Sequence, residues 1–262
     1  MSAMTRRLRP AGLGLLGILG FLGLWQLAPA LGWVNGRYVP PPTDVFAALG
    51  TMALDLHYWR TIGNTLITWG IGLAIAGVLA VVLGTVVGMV PFLRRYTRTT
   101  VEFLRPIPSV AIIPLAILMF GLDRDASLVI VVYATFWQIF IQVLYGVADV
   151  DPVARDTQRS FGISTLDRFR HLVLPTALPY LMTGIRLGAT VALILTVTGE
   201  LLIGADGIGR LLTIRQTAGD YAGVYALVVT AGLLALVINL IVRLIERRVL
   251  AWHQSVRAEV VL

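Results

Sequence analysis

Apolar residues in this chain run in long blocks, neither alternating with polar ones nor recurring on one helical face only. Four blocks, about 11–32, 62–90, 126–148 and 221–243, reach the roughly 20 apolar residues that a helix needs to cross a bilayer. A fifth, about 180–203, carries Arg186 and Glu200 but is otherwise apolar. A sixth, 107–121, has only fifteen residues and contains Pro108 and Pro114. Spanning backbone must satisfy its own polar groups, so the pattern predicts an all-α, polytopic membrane fold with about six transmembrane helices.

Charge bears on the doubtful block. All 21 basic residues are Arg. With six spans and the N-terminus inside, fifteen Arg fall in cytoplasmic segments, five in outer segments, and Arg186 within a span. If 107–121 did not cross, every later segment would change side and the distribution would be ten against ten. The positive-inside rule therefore favours six spans with both termini cytoplasmic. Composition agrees, with 57% apolar and 13% charged residues and a mean hydropathy of +0.84, against about 25% charged residues in soluble domains. The net charge of +7 is read as orienting the chain in a lipid bilayer, with no nucleic-acid partner. Absence of Cys excludes disulfides, thiolate metal sites and thiol nucleophiles. Arg6-Arg7, an apolar run and Ala28-Pro29-Ala30 imitate a signal peptide, but the run exceeds the 7–15 residues usual for that core, so a retained first helix is expected. The chain divides into an N-terminal helix and outer Pro-rich segment (1–61), a core transmembrane domain (62–250) and a cytoplasmic tail (251–262).

Small residues mark helix contacts, because lipid supplies no hydrophobic drive between helices and close backbone approach must. Gly72, Ala76, Ala80, Gly84 and Gly88 form one such track, and Gly184, Gly188, Ala192, Thr196, Glu200 and Gly204 a second. A carboxylate in the bilayer is costly, so Glu200 should face protein, a water-filled path or the outer interface. Arg186, fourteen residues away and so about 21 Å along a helix, cannot pair with it and is expected to snorkel to the cytoplasmic surface. Arg105-Pro106-Ile107-Pro108-Ser109 and Pro114 make the third span irregular. Such interruptions are tolerated inside protein or beside a cavity, so Pro106, Pro108, Ser109, Pro114 and Glu200 are candidate pathway lining. A plain helix-start turn is the alternative for the proline segment.

Residues 149–179 are punctuated like two helices rather than a loop. Asp151-Pro152 offers an N-cap followed by Pro at the first helical position. Gly162 can end that helix with a left-handed turn. Ser164 then caps a second helix, with Asp167 three residues on. Leu166, Phe169 and Leu172 or Val173 would give it one apolar face, and Pro175 and Pro179 mark the start of the next span. A surface helix on lipid and a docking element for a soluble partner both fit this pattern.

Asp156-Thr157-Gln158-Arg159-Ser160-Phe161-Gly162, nine residues, then Leu172-Val173-Leu174-Pro175 resembles the EAA loop of binding-protein-dependent ABC importer permeases. The Gly and Leu-Pro spacing fits, whereas of the E-A-A triplet only the acid is kept, as Asp156. Val39-Pro40-Pro41-Pro42-Thr43-Asp44-Val45, Phe103-Leu104-Arg105-Pro106-Ile107-Pro108, Gly207-Ile208-Gly209 and Leu244-Ile245-Glu246-Arg247-Arg248 resemble the nitrate/sulfonate/taurine group of that family.

The resemblance implies a type I ABC importer permease fold in the inner (plasma) membrane. It implies a second permease copy, ATP-binding cassette ATPase subunits docking from the cytoplasm, and an extracytoplasmic substrate-binding protein. Asp156, Thr157, Gln158, Gly162, Leu172, Leu174 and Pro175 would couple to the ATPase. The cargo would be a small anion such as a sulfonate, nitrate or taurine. No cofactor is expected on this chain, and ATP and Mg would be used by the partner ATPase. The residues agree on one point, since a Walker A loop requires Lys and the chain has none. A membrane enzyme is disfavoured: His57, His171 and His253 lie in separate segments, and no H-E-x-x-H or G-x-S-x-G motif occurs. An ion-driven secondary transporter is the stronger alternative, although it would place intramembrane charges on several helices.

Overall fold

The computed structural model describes residues 3–252, with side chains from residue 12 onward. The Arg6, Arg7 and Arg9 side chains and the tail beyond residue 252 lie outside the described residues. The helices are α1 (Ala3–Ala30), α2 (Pro42–Ala53), α3 (Leu56–Met89), α4 (Pro91–Leu104), α5 (Ile113–Phe120), α6 (Arg124–Ala148), α7 (Pro152–Ser160), α8 (Thr165–Arg168), α9 (Leu174–Ile203), α10 (Ile208–Thr217) and α11 (Tyr221–Val249). Five stretches are long and apolar enough to cross a bilayer unbroken, and α4 with Ser109–Phe120 forms a pair bent by 82° that meets the same length and composition only when the two are taken together.

The chain forms two compact units, Met1–Arg60 with Leu211–Gly232, and Thr61–Arg210 with Leu233–Leu262. In the second unit α6 is gripped on two faces by glycine-bearing helices. Gly72, Gly84 and Gly88 of α3 lie against Val131, Val143 and Val147 of α6 so closely that a Cβ at Gly84 or Gly88 would sit 2.9 Å from a valine methyl. Between them Ala76 and Ala80 are fully buried. Gly184 and Gly188 of α9 meet Ile139, Gln142 and Thr135, Gly199 meets Ser127, and Gly146 of α6 meets Ala177. Both small-residue tracks thus exist to bring backbones together, which is where packing between membrane helices gains its contact energy.

The order of these contacts decides the topology. Residue numbers rise together along α3 and α6, from Gly72 with Val131 to Gly88 with Val147. The two helices are therefore parallel, and the chain between residues 89 and 124 must return to the side on which α3 began. The sixth crossing follows from this register, independently of charge. Its regular part is short: the 3₁₀ turn Ser109–Ile112 and α5 have four and eight residues, a rise of about 20 Å. That is less than the ~30 Å hydrocarbon core. The sequence reading placed Arg94–Arg105 in a cytoplasmic segment outside this span. The structure makes residues 91–104 a 14-residue helix joined to the span by the bend.

α9 runs antiparallel to α3 and α6. The Trp69 indole N–H donates to the Ala189 carbonyl at 2.9 Å, and Ala189 and Leu193 pack with Ile238 and Val242 of α11. In the first unit, Trp25 donates to the Pro40 carbonyl (3.1 Å) and the Tyr38 and Tyr221 rings meet edge-on at 5.2 Å. The Tyr58 and Thr230 hydroxyls share a buried 2.8 Å hydrogen bond. Arg215 pairs with Asp220 at 2.6 Å, and Asp220 also accepts the Gly223 N–H (2.9 Å), capping α11.

Candidate functional site: the 149–179 segment, the broken span and Glu200

Helix punctuation in 149–179 appears as the sequence requires. Asp151 accepts the Val153 N–H at 2.8 Å and Pro152 opens α7. Gly162 has φ +69, a conformation that costs any residue with a Cβ, and its N–H closes on the Arg159 carbonyl at 3.0 Å. Ser164 accepts the Asp167 N–H (3.1 Å) and donates to the Asp167 carboxylate (2.6 Å), a closed capping box. Asp156 and Thr157 are exposed, Gln158 partly buried and Leu174 40% exposed. Leu172 and Val173 pack into the core beneath α6, together with Phe169. Leu166 departs from the expected apolar face and stands 71% exposed, as do Val153 and Phe161 at 72% and 80%.

The second helix does not stop at Pro175. From Thr165 to Ile203 the chain is one helical run of 39 residues, with a π turn at Phe169–Val173. Pro175 has no N–H and its ring crowds the preceding turn. The π turn widens the backbone just before it, so the run continues into the membrane without a break. A continuous helix therefore joins the exposed segment to the span that carries Glu200.

At the third span the interruption is anchored. Leu104 ends α4, and its carbonyl accepts both the Tyr133 hydroxyl (2.6 Å) and the Ile107 N–H (3.2 Å). Pro106 and Pro108 are exposed, Ser109 is half-buried at the start of the 3₁₀ turn, and Pro114 is exposed in the first turn of α5. The prolines thus lie on the outside of this unit, where their missing donors leave no buried acceptor unsatisfied.

Glu200 is placed quite differently. Its side chain is fully buried. Oε2 accepts the Thr65 hydroxyl and the Gly209 N–H, each at 3.0 Å, and the Thr65 oxygen accepts the Ile208 N–H at 3.0 Å. Gly204, at φ +86, ends α9 in a left-handed turn, and the chain folds back so that the N-terminus of α10 abuts the last turns of α9. The carboxylate then caps α10 from outside that helix, where free N–H groups and the helix dipole favour negative charge. Two glycines make the approach possible: a Cβ at Gly207 would overlap the carboxylate, and one at Gly209 would overlap the Val197 carbonyl and the Leu201 N–H. As placed, Glu200 joins three segments and faces no opening.

Arg186, whose side chain is 40% exposed, forms an ion pair with Glu246 of α11. The sequence reading missed this partner, and also Thr65 and Tyr133. Only Gly207-x-Gly209 hinted at the Glu200 arrangement.

Residues 77–251 match the family described as binding-protein-dependent transport system inner membrane component. The chain is 31% identical to a protein described as the aliphatic sulfonates transport permease protein SsuC of Escherichia coli (strain K12), covering 90% of each chain. It is 27% identical to the taurine transport system permease protein TauC of the same strain, covering 94% of this chain and 90% of that one. Among solved structures, a bacterial ABC transporter involved in the import of the acidic polysaccharide alginate superposes with a TM-score of 0.64 at 18% identity, covering 94% of this chain and 97% of that one. That likeness concerns the fold.

Proposed function

The chain belongs to the family of binding-protein-dependent transport system inner membrane components, and on that premise we propose that it carries a small organic anion of the sulfonate or taurine type. It is the membrane-spanning permease subunit of an ATP-binding cassette importer; the ion-driven alternative is not favoured. The names of its relatives SsuC and TauC, together matching nine-tenths or more of this chain, support the cargo class. Nitrate and related small anions belong to the same reading.

The single observation behind the mechanism is the continuous helical run from Thr165 to Ile203. In this reading Asp156, Thr157, Gln158 and Gly162 dock on a separate ATPase, with Leu172, Leu174 and Pro175 tying the docked element to the span. Closure of two ATPases around ATP and Mg would move that element as a lever, biasing a two-state equilibrium between outward- and inward-open forms. A second copy of this chain would complete the pathway, with Pro106, Pro108, Ser109 and Pro114 lining it. Glu200 would act on that pathway by holding the end of its helix in place. An extracytoplasmic binding protein would deliver the cargo, and both termini would be cytoplasmic, as fifteen Arg against five imply.

Reconstitution of the chain with its ATPase and binding protein in sealed vesicles tests this. Uptake of taurine or an alkylsulfonate that requires ATP and the binding protein supports it. Uptake that persists without ATP and collapses with the proton gradient overturns it.

A further inference from the structure

α4 is amphipathic in an unexpected sense. Phe92, Tyr96 and Phe103 lie along one stripe at i, i+4 and i+11, all at least 63% exposed. Arg94, Arg98 and Arg105 repeat that spacing two residues later, about 200° round the helix and so on the opposite face. Both stripes are exposed on the surface of this unit. Here the three guanidinium-bearing residues line a recess of about 590 Å³ whose other walls include Val87 of α3 and Ile141 and Leu144 of α6. Arg98 pairs with Glu102 at 2.9 Å, and both side chains are mostly exposed, so solvent screens the pair. Among the described residues Arg94 and Arg105 have no ion-pair partner. The recess therefore carries three cations against one carboxylate, set beside an aliphatic wall. Its volume falls within the ~300–1,000 Å³ typical of small-molecule sites.

We propose that this recess binds an amphiphilic anion, with a tetrahedral oxyanion head on Arg94, Arg98 and Arg105 and an aliphatic tail along Val87, Ile141 and Leu144. Guanidinium groups suit such heads because several N–H donors meet several oxygens at once. Two sources carry this chemistry: an acidic phospholipid of the surrounding bilayer and an alkylsulfonate passing through the protein. Only the second rests on the importer reading.

The full chain in phosphatidylcholine nanodiscs is titrated with radiolabelled hexanesulfonate, and retention of phosphatidylglycerol is followed in parallel by native mass spectrometry. Wild-type protein binds at least one probe, and the R94Q/R98Q/R105Q variant binds it at least tenfold more weakly, since one lost charge-assisted hydrogen bond already amounts to about tenfold. R105K keeps most of the binding, and R95Q, whose side chain does not line the recess, matches wild type. Hexanesulfonate binding marks a cargo station and phosphatidylglycerol retention a headgroup site; either upholds the proposal. It is overturned if neither probe binds, if the folded triple variant binds as wild type does, or if R95Q weakens binding as much as the triple variant. ATP-dependent uptake is measured separately. Its failure with recess binding intact faults the importer reading alone, and intact uptake without recess binding faults only the recess.

Discussion

The Thr65 hydroxyl stands 3.0 Å from Glu200 Oε2 across 135 residues of sequence, while its own oxygen receives the Ile208 N–H. One small side chain thus relays the first turn of α10 onto the end of α9, and both depend on α3 to hold it there.

Removing that hydroxyl leaves a buried carboxylate oxygen with one partner fewer and a buried N–H with none from Thr65. Thr65→Val should destabilise the protein by about 1–3 kcal/mol. Glu200→Gln, which keeps an acceptor for Gly209, should cost less than Glu200→Leu. Thermal unfolding in detergent ranks the three; equal melting temperatures would contradict the relay.

Glycine contacts between α3 and α6 make a site-specific forecast. Gly84→Val must push against Val143 and Phe140 and should destabilise by about 1–3 kcal/mol through overpacking. Gly63, on the same helix, has nothing within 4 Å of its added Cβ, so Gly63→Ala should be neutral or slightly stabilising. Unfolding midpoints of the two variants decide it.

Gly162→Val requires a β-branched residue at φ +69, and should abolish ATP-coupled uptake without preventing membrane insertion. Asn tolerates that conformation, so Gly162→Asn should retain much of the uptake. Uptake and membrane yield are compared in vesicles containing the ATPase. Normal uptake by the Val variant would remove Gly162 from the coupling mechanism.

Arg186 and Glu246 should be interchangeable as a pair. Glu246→Gln leaves a half-buried guanidinium without its counter-charge, at a cost of about 1–3 kcal/mol. The double exchange Arg186→Glu with Glu246→Arg should recover part of that loss. A double-mutant cycle with no coupling would show the pair to be incidental.

Asp220 gives a pH dependence. Burial alone would raise its pKa, but the Gly223 N–H and the Arg215 guanidinium outweigh burial and hold it below its ordinary value. A carboxyl depressed in the folded state stabilises fully above its unfolded pKa of about 3.9, and that contribution is lost as pH falls through the lower folded value. The helix cap at the start of α11 should therefore be indifferent to pH from neutrality to about 5 and weaken only below about 4. Hydrogen exchange at Gly223 follows it, and Asp220→Asn should abolish the acid-dependent part.

Much of this was legible in the chain because it is local. Asp151, Gly162 and Ser164 act on N–H and C=O groups within a few residues, so their roles can be read from spacing alone. The glycine tracks were legible as contacts because small residues at four-residue steps have no other packing use, yet nothing in them named α6 as their common partner. The partner of Arg186 was not legible since it is 60 residues distant, and a lone Arg in a span gives no sign of it. The unbroken run from Thr165 through Pro175 was not legible, because a proline reads as a break unless a wider turn precedes it.

Sequence by itself determined which stretches are apolar enough to span and the caps of the 149–179 segment, for apolar length and capping are properties of contiguous residues. Tertiary structure alone decided that α3 and α9 both pack on α6, that Glu200 is enclosed, and that the arginines of α4 share a recess with α3 and α6. Each of these depends on which backbones can approach which, between segments far apart in the chain.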